Sequence, residues 1–254
     1  MLKKRLIPVQ LLNNRSLVKS INFDNFREVG NPITSSKIYN DSDTDEIIFL
    51  NINRDNRSIN PLLNYLNDLT EVCFMPISVG GGIKKLKDVE DLIINGADKI
   101  ILNSIAYKNY DLIKEIKNNY GKQSIIISID VKKDFENSDY SLFSNCGKNL
   151  EEISLNDHIL KCQDYGAGEI FINSIDNDGK MSGMDVNLIN YVSSISDVPV
   201  IACGGVGNYE DLKKIYTTTN VSAIACGSLF NFGDYNPIRA KAYLKNYEIP
   251  LKIL

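Results

Sequence analysis

The sequence predicts an α/β fold: a single (β/α)8 barrel with a two-fold internal half-barrel repeat, spanning residues 1–254 as one domain. Three observations predict it. The chain has 254 residues, close to the roughly 250 that eight βα units require. Short β-branched runs alternate with stretches of helical apolar spacing, the pattern of parallel strands joined by crossover helices. The chain also repeats itself. Asp45-Glu46-Ile47-Ile48-Phe49 resembles Gly168-Glu169-Ile170-Phe171-Ile172, and Gly81-Gly82 stands as far from Gly204-Gly205 as Glu46 stands from Glu169. A fixed offset of this kind marks duplicated units, here two four-unit halves closing on each other.

Taken in order, the expected strands cover residues 5–9, 46–52, 75–79, 99–102, 124–130, 169–173, 200–202 and 223–225. Most are apolar and β-branched along their length, as strands covered on both faces must be. The first follows Lys3 and Lys4 and mimics a leader, but Pro8 and Gln10 interrupt its apolar run and no small-residue cleavage site follows. A long loop is expected after it, carrying Arg15, Lys19, Arg27 and Lys37. Helical spacing fills residues 86–95, 110–119 and 155–165 between later strands. An open doubly wound sheet is disfavoured because no glycine-rich dinucleotide fingerprint follows the first strand.

Composition narrows the function. With 43% hydrophobic and 24% charged residues the chain reads as an ordinary soluble domain. A net charge of −4 gives no global attraction to nucleic acid or anionic membrane, so neither is expected as a partner. No apolar run reaches the ~20 residues of a membrane span. Five cysteines, odd in number and without CxxC spacing, argue against disulfides or a zinc site and fit a reducing cytoplasm. No metal and no cofactor are expected. The Asp176-Asn177-Asp178-Gly179 run has its glycine too early for a calcium loop.

Chemistry is expected where strands end. Val79-Gly80-Gly81-Gly82 follows the third strand and Cys203-Gly204-Gly205-Val206-Gly207 the seventh. Glycine lets backbone N–H groups approach an anion closely, although a tight turn explains each run alone. Asn103-Ser104 and Gly227-Ser228, after the fourth and eighth strands, complete two expected phosphate sites on opposite sides of the barrel mouth. Their ligand is a phosphorylated small molecule carrying a phosphate at each end. Asp130 ends the fifth strand, where a carboxylate can act as general acid or base. Asp176 and Asp178, after the sixth, are candidate ligand contacts, and Lys19 is expected to close over the ligand from its loop. At the other end Arg5, Glu46, Lys99 and Glu169 begin strands one, two, four and six, a set able to form a charged ring. His158, the single histidine, falls in a helical stretch and is expected to pack or face solvent, so no Ser-His or Cys-His machinery is available.

With these residues placed, nearly the whole chain resembles the HisF family, the cyclase subunit of imidazole glycerol phosphate synthase, a TIM-barrel lyase. The resemblance rests on Lys4-Arg5-Leu6-Ile7-Pro8, Asp45-Glu46-Ile47-Ile48-Phe49, Val79-Gly80-Gly81-Gly82-Ile83, Gly96-Ala97-Asp98-Lys99, Ser128-Ile129-Asp130 and Asp176-Asn177-Asp178-Gly179. It implies a HisH-like glutaminase beneath the barrel and ammonia passing up its centre, through a gate of Arg5, Glu46, Lys99 and Glu169, to a bis-phosphorylated substrate. It also implies a second catalytic aspartate opposite Asp130, but Leu11 occupies that place, and Asn51 replaces an aspartate after strand two.

Leu11 makes ordinary cyclisation doubtful, because leucine transfers no proton. The combination is most similar to the HisF-like proteins of acetamidino modification in surface-polysaccharide biosynthesis, especially through Glu71-Val72-Cys73-Phe74-Met75-Pro76-Ile77. The expected function is ammonia delivery, with a HisH-like glutaminase, to a sugar amidotransferase. The alternatives are the cyclase of histidine biosynthesis and a non-catalytic phosphate-ligand scaffold.

Overall fold

The computed structural model describes residues 3–55, 57–134, 139–232 and 234–252. In chain order the strands are β1 (Arg5–Asn13), β2 (Ser16–Ile21), β3 (Asp24–Gly30), β4 (Ile47–Asn51), β5 (Ile77–Gly80), β6 (Lys99–Leu102), β7 (Ile125–Asp134), β8 (Asp139–Ser144), β9 (Asn149–Glu151), β10 (Glu169–Ser174), β11 (Val200–Cys203) and β12 (Ala223–Cys226). The helices are α1 (Pro32–Asp41), α2 (Asn60–Val72), α3 (Leu86–Ile94), α4 (Tyr110–Tyr120), α5 (Leu155–Tyr165), α6 (Val186–Ile195), α7 (Tyr209–Thr218) and α8 (Pro237–Lys245). Strands β1, β4, β5, β6, β7, β10, β11 and β12 pair in parallel in that order, and β12 returns to β1. The result is a closed eight-stranded parallel barrel, and each predicted strand has its counterpart in it.

Closure follows from alternation along each strand. One face of β1, β4, β6, β7, β10, β11 and β12 meets in the lumen as Ile7, Val9, Ile48, Ile101, Ile126, Phe171, Ile201, Ala223 and Ala225. The other face packs under the helices. The helices form where the apolar spacing predicts them. On α5, Ser154 caps the first turn by accepting from Asp157 N at 3.0 Å, Gly166 ends the helix at φ +118°, and Leu155, Ile159 and Cys162 are buried.

One expectation is corrected here. The segment after the first strand is a β-hairpin instead of a long loop: β1 runs on to Asn13, then β2 and β3 pair antiparallel beside it. The hairpin of β8 and β9 extends β7 in the same way. β1 and β7 lie four strands apart around the barrel, so the two insertions repeat the half-barrel symmetry.

α8 is tied to the barrel bottom by a buried ion pair, Lys241 Nζ to Asp45 Oδ1 at 2.8 Å, while Asp45 Oδ2 accepts from Leu6 N at 2.8 Å. Lys241→Ala strands this carboxylate and is expected to cost about 3 kcal/mol, read as a lower urea midpoint with an unchanged slope. No loss would mean that water replaces the ammonium at no cost.

Candidate functional site

The C-terminal ends of the strands enclose a cavity of about 410 Å³. Its inner wall is the upper lumen, where Val9, Leu11, Leu50, Ile101 and Phe171 are apolar and Asn103, Ser128, Asp130, Asn173 and Cys203 are polar. Alternation puts Ile126, Ser128 and Asp130 on one face of β7, so the chain that fills the core also delivers Asp130 to the cavity.

Asp130 accepts a 2.9 Å hydrogen bond from Asn103 Nδ2, which also donates to Ser128 O at 3.1 Å. Burial pushes the Asp130 carboxyl up to about 7; the Asn103 amide opposes the rise and the charge of Asp178 adds to it. A carboxyl poised there exchanges protons readily near neutral pH.

Lys19 sits on β2, 4% exposed, and Nζ donates to Val9 O. A Cβ added at Gly227 would lie 3.1 Å from that nitrogen, which places it beside the Gly227-Ser228 turn. The expected mobile-loop lysine is thus a fixed, buried one. Burial lowers its pKa to about 8 against the attraction of Asp178. Asp178 lines the cavity and accepts from Ser20 Oγ at 2.8 Å. Burial raises its pKa, opposed by Ser20, the Phe23 N–H and Lys19.

Asp176 is not among the cavity-lining residues. Its carboxylate accepts from Lys133 N at 2.8 Å, which ties its loop to β7.

The glycine pairs line the cavity on both sides, with φ of +95° and +87° at Gly81 and Gly82 and +97° and +103° at Gly204 and Gly205. Helices do not begin directly after them, as the sequence suggests, but at Leu86 and Tyr209. A Cβ on Gly82 would stand 2.4 Å from Ser58 O, and one on Gly205 2.1 Å from Gly183 O. Each backing carbonyl is held by an amide, from Asn51 Nδ2 at 2.9 Å and Asn177 Nδ2 at 2.8 Å. Close backbone packing therefore demands these glycines whether or not an anion binds. It also explains Asn51: an aspartate in the same pose would turn lone pairs toward Ser58 O. Asn103, Ser104, Gly227 and Ser228 line the same cavity.

The opposite end of the lumen is closed by the charged set. Arg5 Nη1 lies 2.7 Å from Glu46 Oε2, Lys99 Nζ lies 3.0 Å from Glu46 Oε2 and 2.7 Å from Glu169 Oε1, and Arg5 Nη2 completes the circuit to Glu169 Oε2. Ser78 Oγ, absent from the sequence expectation, donates to Glu46 Oε1 at 2.5 Å. The period-two pattern of β5 would have pointed to it. Burial raises the Glu169 pKa, but Arg5 and Lys99 outweigh it and the net shift is downward. His158 is fully buried, stacked on Tyr107 at 4.0 Å and bonded to Tyr110 Oη at 2.8 Å, with its pKa lowered by burial to about 4. It packs; it does not serve the cavity. Among the described residues no cluster could hold a metal ion, and no helix is long and apolar enough to cross a membrane.

Comparison with known proteins gives a consistent result. The family described as "Histidine biosynthesis protein" matches residues 5–236. The imidazole glycerol phosphate synthase subunit HisF of Staphylococcus saprophyticus is 35% identical over 252 residues, covering 99% of this chain and 100% of its own. That of Clostridium botulinum is 37% identical over 250 residues, covering 98% and 99%, and that of Lactococcus lactis 34% over 254, covering 100% and 98%.

Proposed function

The chain belongs to the HisF branch of the histidine biosynthesis protein family, and from that premise we propose that it is a cyclase-type subunit of an imidazole glycerol phosphate synthase. It works with a HisH-like glutaminase in the cytoplasm. The relatives' names favour this reading over ammonia delivery to a sugar amidotransferase, which the sequence analysis puts first. The observation that carries it is Asp130, buried at the floor of a cavity lined on two sides by the glycine pairs, with its carboxyl pushed up to about 7. Ammonia released by the partner enters through the charged ring and reaches the bis-phosphorylated substrate between the glycine pairs. Asp130 then accepts or returns the proton that ring formation moves.

One observation favours the sugar-directed reading. Leu11 lines the cavity on β1, across the barrel from Asp130 on β7, where the HisF resemblance implies a second acid. The test is ammonium-driven turnover of the HisF substrate by the purified chain. We expect slow turnover, raised by Leu11→Asp at least about tenfold, since positioned acid–base groups contribute roughly 10²–10⁴. No turnover from either protein, with phosphate still bound, would overturn the cyclase reading in favour of the sugar-directed one.

A further inference from the structure

The four charged side chains do not close their ring evenly. Arg5 starts β1, Glu46 precedes β4, Lys99 starts β6 and Glu169 starts β10. Elsewhere at most one strand separates neighbouring members, but β11 and β12 both lie between β10 and β1, and their lumen residues Ile201 and Ala223 carry no charge. Arg5 alone spans that gap, from Glu46 Oε2 at 2.7 Å across to Glu169 Oε2. A second cavity, of about 410 Å³, opens beneath this side, lined by Arg5, Glu169, Pro199 and Ser222 but by neither Glu46 nor Lys99. Arg5 is also the most exposed side chain of the four, at 22%.

The main chain of Arg5 is held from an unexpected direction. Tyr216, on α7, donates through Oη to Arg5 O at 2.6 Å and accepts from Ile224 N on β12 at 3.2 Å. The helix that joins β11 to β12 thus reaches past β12 to the first residue of β1. Among the described residues, Arg5 is the one ring member whose carbonyl a side chain holds. Tyr216 is buried, and burial raises its pKa well above the ordinary value, so the hydroxyl remains a donor at working pH. A buried tyrosine hydroxyl usually finds a partner. Here its two partners are the strands that meet at the widest gap in the ring.

We propose that Tyr216 is a positioning residue of the charged ring: it fixes the start of β1 against β12, so that the Arg5 guanidinium closes the ring above the lower cavity. Without the hydroxyl, the start of β1 shifts and Arg5 turns toward that cavity, while Lys99 stays bonded to both carboxylates. The proposal rests on the ammonia gate put forward above and deepens it, by placing the moving part at Arg5 and its anchor at Tyr216.

The test is Tyr216→Phe, which removes one oxygen and leaves β1 and β12 paired in parallel, with Arg5 opposite Ala223. Phenylglyoxal, which labels guanidinium groups, is expected to modify Arg5 of the full chain about two- to tenfold faster in the variant, the weight of one hydrogen bond. Mass spectrometry of the Arg5 peptide reads the rate, and Arg239, exposed on α8, should label equally in both proteins. In complex with its glutaminase, the variant should release more glutamate per product than the parent, by a similar factor, and match it when exogenous ammonium is supplied. Unchanged labelling of Arg5, with only a lower melting temperature, makes Tyr216 a packing residue and overturns the proposal. Faster labelling with an unchanged glutamate ratio keeps Tyr216 as the anchor of Arg5 and overturns the gate reading beneath it.

Discussion

Asp130→Asn is expected to cut ammonium-driven turnover by about 10²–10⁴-fold and, at the same time, to stabilise the folded chain above neutral pH. Both effects come from one cause. The folded carboxyl titrates near 7 against an ordinary value of 3.8, so folding favours its protonated form. The stability this group allows is fully present below pH ~4 and is lost as pH rises through ~7. Above that point the native state holds a desolvated carboxylate that the unfolded chain would hydrate. The amide carries no such penalty and can rotate to keep accepting from Asn103 Nδ2. The gain is therefore on the order of 4 kcal/mol at pH 8 and little at pH 4. Denaturant melts of both proteins at the two pH values check it. Equal stability at pH 8 would show that Asp130 is hydrated and not poised, and full activity in the variant would remove it from the chemistry.

Glu46→Ala is expected to lower the unfolding free energy by about 3 kcal/mol, because Arg5, Lys99 and Ser78 lose their shared acceptor together. Lys99→Ala should cost less, since Arg5 still bridges Glu46 and Glu169. That difference separates structure from gating. If the ring gates ammonia, as proposed, the folded Lys99→Ala protein with its glutaminase will release glutamate and form product out of proportion. With exogenous ammonium, which bypasses the glutaminase, its turnover will match the parent. Glutamate per product measured in the reconstituted complex decides the matter: an unchanged ratio with a lower melting temperature makes the ring a structural one.

The two experiments probe opposite ends of one lumen, and those ends were not equally legible in the chain. The ring could be read directly: Arg5, Glu46, Lys99 and Glu169 each stand at a strand start, and strand order then fixes their alternation. Asp130 was legible for the complementary reason, as the last inward residue of an apolar strand. Its shifted pKa was not, because desolvation depends on what covers it.

Lys19 was misread because the local turn signal of the β2–β3 hairpin is incomplete: Asn22 favours a left-handed turn, but Phe23 beside it does not. The hairpin turn places Asn22 at φ +53° and Phe23 at φ +62°, a conformation that a bulky residue adopts only when something else holds it. Here the Asp178 carbonyl accepts from Asn22 N at 3.0 Å, and Phe23 packs against Gly147. Both partners lie more than a hundred residues away in the chain.

By itself, then, the sequence determined the barrel, its two-fold repeat, the charged ring and the level of Asp130, since these follow from period-two alternation and strand order, which are properties of short segments. Only the tertiary structure decided that Lys19 is buried, and that Asp178 lines the cavity while Asp176 ties its loop to β7. Burial and charge balance are set by contacts between loops distant in sequence, and local periodicity carries no information about them.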